Sequence, residues 1–146
     1  MDRAAAKSLE LFESGYYCAE SVLLAIAEEK GIESELIPKV ATGFCTGLSR
    51  TCGMCGAVSG ATLGISLLTG RSSPDESLEE NHALVHSLVA RFQDRFGSIE
   101  CRDLIGCDLS TEDGQAFFDQ NDLFELCKQY VAEATTMALL LLEDVA

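Results

Sequence analysis

The chain has 146 residues, 47% of them hydrophobic, which predicts one globular domain over residues 1–146 that needs no disulfide staples. Its formal net charge of −14 repels phosphate backbones and anionic lipids, which argues against nucleic acids and membrane surfaces as partners. The N-terminal residues lack the apolar segment of a secretory signal, which predicts a cytoplasmic protein. The uncharged segment 51–70 has the length of a membrane span, but its five glycines dilute its hydrophobicity.

Helical periodicity runs through the whole chain, and no segment alternates apolar and polar residues as a strand does. Glycine follows several of the periodic segments, as is common at helix ends. The predicted helices cover about 2–14, 16–30, 35–42, 52–69, 73–96 and 122–144, with short helical segments at 101–107 and from 110 onward. This pattern predicts an all-α protein, a single compact bundle of about five to seven helices.

The two longest helices have distinct signals. The first is predicted to open at Ser73-Pro74-Asp75-Glu76, which has the pattern of a capping box with proline in the first helical position. Its apolar stripe consists of Leu78, His82, Val85, Val89, Phe92 and Phe96. The last helix keeps a heptad stripe that places Cys127 on its buried seam. Its end at 138–142 is apolar all round, which favours a homodimer through the C-terminal helix over full enclosure within one subunit.

The most informative segment is Thr51-Cys52-Gly53-Met54-Cys55, a Cys-x-x-Cys pair predicted in the first turn of helix 52–69. Two sulfurs three residues apart share one helical face and can close a disulfide or hold one ion. The helix dipole would lower the pKa of Cys52 below about 8.5 and make it the nucleophile. Cys55 would then be the resolving thiol of a redox pair.

The same helix carries Gly56, Gly60 and Gly64 at intervals of four residues, which form a bare stripe along one face. Such a stripe lets a second helix approach at backbone distance. It predicts that this glycine-rich helix is central in the bundle. Close packing alone is a sufficient reason for the stripe, and it is compatible with a functional cysteine pair beside it.

Cys18, Cys101 and Cys127 fall on separate helices, and Cys18 and Cys127 are predicted to point inward. Clustered cysteines in a reducing compartment bind metal or undergo redox chemistry more often than they form structural disulfides. We therefore expect these three as supporting thiols for the Cys-x-x-Cys pair. Cys45 and Cys107 lie in loop-like stretches without a distinct pattern and are weaker candidates.

His82 and His86 are one turn apart on the long helix, a spacing that can place two imidazoles on one ion. A partly buried histidine and a surface histidine explain the same spacing, and this interpretation is favoured. If a mixed metal site exists, these two residues are its nitrogen donors.

The cysteine arrangement resembles the C-GCAxxG-C-C family of redox-active proteins, which is named for this pattern. The residues that carry the resemblance are 17–22 around Cys18, 55–61 after Cys55, Phe92, 96–106 around Cys101, and Cys127 with Tyr130-Val131. The resemblance therefore spans nearly the whole chain, although Gly56 separates Cys55 from the alanine that follows the cysteine in the family's pattern. It implies an all-helical domain with redox-active or cofactor-linked cysteines. Similar domains look related to part of a multihaem cytochrome, but no Cys-x-x-Cys-His motif is present, so covalent haem is not expected.

Three functions remain open from the sequence. The first is a thiol–disulfide oxidoreductase or electron-transfer protein centred on Cys52 and Cys55, whose partner is a redox protein or a small-molecule thiol. The second is a zinc or iron–sulfur protein whose thiolate ligands are Cys55, Cys101, Cys127 and either Cys18 or Cys52. The third is a structural or interaction module in which the cysteines only fill the core.

Overall fold

The computed structural model describes residues 2–145, and this part of the chain contains eight α-helices, one 3-10 helix and no β-strand. The α-helices are α1 (Asp2–Glu13), α2 (Cys18–Glu29), α3 (Cys45–Arg50), α4 (Gly56–Thr69), α5 (Glu79–Phe96), α6 (Cys101–Ile105), α7 (Glu112–Gln120) and α8 (Phe124–Leu142). The 3-10 helix is Lys39–Phe44. The predicted all-α fold is confirmed. The helix count exceeds the expected five to seven because α3, which is too short to show a hydrophobic period, forms in the loop-like stretch that contains Cys45.

The centre of the bundle is formed by α2, α4 and α8, which pack against one another. Helix α1 lies on α2 and α8, and α5 lies on α4 and α8. Large apolar side chains from these helices, among them Ile26, Ile65, Leu88 and Phe92, are fully buried. The glycine-rich helix α4 is therefore inside the bundle, but it shares this central place with α2 and α8.

The glycine stripe of α4 faces α2. A Cβ at Gly60 would stand 2.5 Å from the carbonyl oxygen of Ala19, and a Cβ at Gly64 would stand 2.7 Å from Cδ1 of Ile26. Because the Ala19 atoms nearest to Gly60 belong to the backbone, they cannot rotate away from a side chain placed at Gly60. The stripe thus brings the two helices to backbone distance, as the sequence predicts.

Helix α5 begins at Glu79, so the predicted capping box at residues 73–76 is wrong. The N–H of Glu76 donates to the carbonyl of Ser73 at 3.2 Å, which makes this segment a turn. The carboxylate of Glu76 accepts the N–H of Ser72 at 3.1 Å, one residue before the predicted cap. The tetrapeptide therefore closes a turn ahead of the helix. Gly97 ends α5 with a φ of 88°, in the left-handed region.

The predicted apolar stripe of α5 is also only partly correct, because His82 is exposed. Its neighbour Asn81 faces α4 and donates from Nδ2 to the hydroxyls of Ser66 and Thr69, both at 3.0 Å. Successive helical residues are about 100° apart around the axis, so this contact turns His82 toward solvent. The buried residues of α5 are Leu88 and Phe92.

The apolar end of α8 divides between core and surface. Leu139 and Leu142 are buried within this chain, whereas Leu140 is 42% exposed. The leucine run is therefore largely accounted for within one subunit, and the homodimer stays a prediction. Across residues 2–145, no helix combines the length and the hydropathy that a membrane span requires.

Candidate functional site

A cavity of about 270 Å³ lies where several helix ends meet, and four cysteines line it. Cys18 is the first residue of α2, and Cys55 immediately precedes α4. Cys101 is the first residue of α6, and Cys127 lies in the first turn of α8. Four segments that are distant in sequence thus contribute cysteines to one space, and all seven cysteines of the chain are free thiols.

Two of these cysteines are held together by the backbone. The N–H of Cys55 donates to Ile99 at 2.7 Å, and the N–H of Cys101 donates to Gly53 at 2.9 Å. These bonds form an antiparallel bridge centred on Met54 and Glu100. Because side chains alternate along an extended backbone, Cys55 and Cys101 lie on the opposite face of the bridge from Met54 and Glu100. The bridge therefore directs both thiols toward the cavity.

A left-handed helical turn forms one side of the cavity. In α3, residues 46–49 have φ between 55° and 63° and ψ between 45° and 67°, and Arg50 follows with a φ of 64°. This conformation costs L-residues roughly 1–2 kcal/mol each. The segment was expected to be an irregular loop. The turn brings Thr46, Gly47 and Arg50 to the cavity.

Specific contacts hold this turn in place. The carbonyl of Gly47 accepts the N–H of Gly53 at 2.9 Å, and the hydroxyl of Ser49 donates to the carbonyl of Gly43 at 2.8 Å. A Cβ at Gly47 would stand only 2.7 Å from Cβ of Cys101. The turn therefore packs directly on one of the cavity cysteines, and glycine is required at this position for both its φ and its space.

Cys52 is not in the first turn of a helix, so that prediction is wrong. Helix α4 begins at Gly56, and Cys52 lies in a bend with a φ of 63°. Its Sγ donates to Oδ1 of Asp108 at 2.9 Å. Cys52 does not line the cavity that Cys55 lines, and its side chain binds Asp108 instead.

The chain matches the family model described as "Putative redox-active protein (C_GCAxxG_C_C)" over residues 16–140. The chain belongs to this family. Cys18, Cys55, Cys101 and Cys127, the cysteines on which the resemblance in the sequence was based, are the four that line the cavity. The chain is also similar to an uncharacterized protein of Archaeoglobus fulgidus, with 30% identity over 112 residues, covering 70% of this chain and 74% of that protein. No solved structure matches the chain.

Three of the cavity cysteines, Cys55, Cys101 and Cys127, are in environments that raise the pKa of the thiol. Burial raises the pKa of Cys55 to about 12. Burial, followed by the negative charges of Cys107 and Cys52 when ionised, raises the pKa of Cys101 to about 11. Burial also raises the pKa of Cys127, and the charge of Cys55 adds to it. Ionisation of one of these three thiols therefore opposes ionisation of the others, and all three are uncharged at neutral pH.

Tyr130 adds a positioned hydroxyl to the cavity. Its phenol donates to the carbonyl of Leu104 at 2.8 Å, and its ring meets Phe96 edge-on with centroids 4.8 Å apart. Burial raises the pKa of Tyr130, and the nearby charge of Cys127 when ionised raises it further. The phenol therefore stays protonated and fixed beside the thiols.

Among the metal ligands proposed from the sequence, only the four cavity cysteines share one space, and they do not form a ligand set. Among residues 2–145, no group of three or more His, Cys, Asp or Glu side chains is arranged to hold a metal ion. His82 and His86 are exposed on α5 and do not line the cavity. A thiolate site at the cavity would therefore require the cysteine side chains to move toward a common point.

Sequence reasoning missed the left-handed turn and the Cys52 partner. Residues 46–50 contain a single glycine, so no local signal indicates several consecutive residues with positive φ. Asp108 and Ser110 have the spacing of an Asx turn, a signal that was available, and the N–H of Ser110 donates to Asp108 at 2.9 Å. Nothing in that turn, however, indicates that a cysteine 56 positions away binds the same carboxylate.

Proposed function

We propose that this member of the C-GCAxxG-C-C family is a thiol-based redox protein. Its reactive centre comprises Cys55, Cys101 and Cys127, with Cys18 as the fourth thiol of the same cavity. The observation that supports this function is the convergence of these four cysteines, from four segments, on one space. Cysteines that only fill a core have no reason to share a cavity with one another.

The proposed reaction is oxidation of two cavity thiols to a disulfide. Cys101 reacts first, because its pKa of about 11 is lower than the value of about 12 for Cys55 and because its side chain is partly exposed. Its thiolate attacks a disulfide of a redox protein or a small molecule and releases one thiol. Cys55 then attacks the Cys101 sulfur and releases the second thiol. Two electrons and two protons thus pass from the two cysteines to the partner disulfide.

This pair differs from the Cys52–Cys55 pair expected from the sequence. The hydrogen bond to Asp108 and partial burial raise the pKa of Cys52, the opposite of the expected helix-dipole effect. The backbone bridge, by contrast, favours Cys101 as the partner of Cys55. A cytoplasmic location belongs to the same proposal, because a reducing compartment would keep the resting centre in its thiol form.

A second candidate function is the binding of zinc or an iron–sulfur cluster by the same cysteines. The observation that favours it is the set of four thiols on one cavity, since soft thiolates are the ligands that these metals prefer. A bound cation would offset the mutual repulsion of the thiolates and release their protons.

One experiment separates these functions. The protein is purified anaerobically, its metal content and visible spectrum are measured, and it is then treated with bis(2-hydroxyethyl) disulfide. Alkylation of the remaining thiols and peptide mass mapping identify the linked cysteines. We expect metal-free protein and a disulfide between Cys55 and Cys101 that dithiothreitol reverses. Cys101→Ser should slow disulfide consumption at least about tenfold, since the attacking thiolate is lost.

Cys107→Ser is the matched control, because Cys107 lies six residues from Cys101 but does not line the cavity. It should leave the Cys55–Cys101 disulfide unchanged and should not slow the reaction, because loss of the Cys107 charge can only favour the Cys101 thiolate. Stoichiometric zinc or iron in the purified protein would favour the second function. Free alkylation of Cys55, Cys101 and Cys127 after oxidation, with no metal present, would leave the cysteines as core residues and contradict both functions. A disulfide between Cys52 and Cys55 would restore the pair expected from the sequence.

A further inference from the structure

Cys45 lies outside the cavity but next to one of its cysteines. It is 3% exposed and belongs to a small apolar cluster with Ala19, Leu23 and Ala41. Cys18 packs against the same cluster. Interaction with the Cys18 thiol is the largest cause that raises the pKa of Cys45, ahead of burial. The two side chains are therefore neighbours in this cluster, and the Cys45 thiol is uncharged at neutral pH.

Gly56 makes this arrangement possible. A Cβ at Gly56 would collide with Sγ of Cys18, and it would stand 3.2 Å from the carbonyl oxygen of Phe44. The residue after Phe44 is Cys45. The Cys18 sulfur and the backbone of Phe44, the residue before Cys45, thus both lie close to Gly56. Cys18 lines the cavity and also packs against the small apolar cluster that contains Cys45.

Cys45 has an extended backbone and immediately precedes the left-handed turn, which begins at Thr46. The turn has non-glycine residues with positive φ at Thr46, Leu48, Ser49 and Arg50. Such a conformation persists only when its surroundings hold it. A covalent link at the residue before the turn would therefore restrict this side of the cavity.

We infer that Cys18 and Cys45 form a second redox-active dithiol, whose disulfide fastens the left-handed turn to the start of α2 beside the thiol cavity. This pair is separate from the Cys55, Cys101 and Cys127 centre. The small-molecule disulfides that oxidise it would enter through the cavity, because Cys18 is the partly exposed member of the pair.

The reaction balances as two exchanges. The Cys18 thiolate attacks one sulfur of a low-molecular-weight disulfide, which releases one thiol and leaves a mixed disulfide on Cys18. Cys45 then loses its proton and attacks the Cys18 sulfur, which releases the second thiol. Two protein thiols are oxidised to one disulfide, and one external disulfide is reduced to two thiols. The link closes the chain between residues 18 and 45 and restricts the turn that follows.

The test uses the full chain with bis(2-hydroxyethyl) disulfide, acid quenching, alkylation and peptide mapping. We expect a peptide containing Cys18 linked to a peptide containing Cys45. Hydrogen exchange of amides 46–51 should slow by about tenfold or more after oxidation and recover with dithiothreitol. Cys45→Ser should leave a stable mixed disulfide on Cys18 and abolish the protection, while Cys107→Ser should leave both effects intact.

The outcomes also separate this inference from the proposed function. A Cys18–Cys45 link without pairing among Cys55, Cys101 and Cys127 would support the second dithiol and contradict the proposed centre. Cys18 linked to a cavity cysteine, or left free while Cys55 and Cys101 pair, would overturn the inference alone. If Cys45→Ser fails to fold by circular dichroism, the wild-type peptide map and exchange data decide the question without it.

Discussion

At the scale of single residues, Cys52 and Cys55 are only three positions apart in the sequence, but their thiols lie in different environments. Cys55 is buried in the cavity, and burial raises its pKa to about 12. Cys52 donates to Asp108, and this hydrogen bond is the largest cause that lowers the pKa of Asp108 to about 2. The same contact raises the pKa of Cys52. The thiol that looks nucleophilic in the sequence is therefore restrained by a carboxylate.

Asp108→Asn tests this restraint. Removing the negative charge should lower the pKa of Cys52 and raise its rate of alkylation at pH 8 by about three- to tenfold, because more of the thiol is ionised. The measurement is the time course of iodoacetamide labelling of Cys52, followed by peptide mass spectrometry.

Asp94→Asn serves as the control, because it removes the same charge from an exposed position on α5. The labelling rate of Cys52 in this variant should match that in the wild type. Equal rates in Asp108→Asn and the wild type would show that the carboxylate does not govern the reactivity of Cys52.

At the scale of elements, the glycine stripe of α4 sets the position of the cavity. Gly56 admits the Cys18 sulfur, and Gly60 admits the backbone of α2 at Ala19. Because the N-terminal ends of α2 and α4 carry Cys18 and Cys55, the distance between these helices fixes the distance between the cysteines. Packing and chemistry therefore depend on the same residues.

Gly60→Ala should lower the free energy of unfolding by about 1–3 kcal/mol, because its Cβ meets the rigid backbone of Ala19. This sign is opposite to the gain of up to about 1 kcal/mol that alanine brings over glycine in an open helix. Urea denaturation followed by circular dichroism at 222 nm measures the change.

The comparison variant is Gly43→Ala in the 3-10 helix, where the nearest atom to a new Cβ is the Ser49 hydroxyl at 4.0 Å. Its stability should stay within about 0.5 kcal/mol of the wild type. A stable Gly60→Ala protein would mean that α2 and α4 can separate without cost.

At the scale of the whole molecule, the burial of several thiols makes the free energy of unfolding fall as the pH becomes alkaline. Cys55 and Cys101 have folded pKa values of about 12 and about 11, against an ordinary value of 9.0. At pH values between the ordinary thiol pKa and the folded pKa values, the unfolded chain loses protons that the folded chain keeps. The stability associated with these thiols is therefore fully present below pH 9 and is lost as the pH rises through the folded pKa values.

We expect the free energy of unfolding of the reduced protein to fall between pH 8 and pH 10.5, by about 1–2 kcal/mol for a thiol shifted as Cys55 is. Anaerobic urea denaturation at the two pH values measures the fall. Cys55→Ala should reduce it by about that amount, since the shifted group is gone. The same fall in the variant and the wild type would assign it to other groups that titrate above pH 8.

Much of the architecture follows from local signals. The end of α5 at Gly97, the glycine stripe of α4 and the start of α7 after Thr111 are all visible in the sequence. Periodicity and glycine placement determine such features because they depend on residues within a few turns of one another. The predicted start of α5 is wrong because the Glu76 carboxylate accepts the N–H of Ser72 within a turn and does not cap the helix.

What the sequence by itself determined is an all-α bundle with a family cysteine pattern. Only the tertiary structure decided which cysteines meet. The bridge between residues 53–55 and 99–101, the left-handed turn beside Cys101 and the packing of Cys18 against the cluster that contains Cys45 all join segments that are distant along the chain. Spacing in a sequence reports neighbours on one helix, whereas a cavity is formed by the ends of several helices.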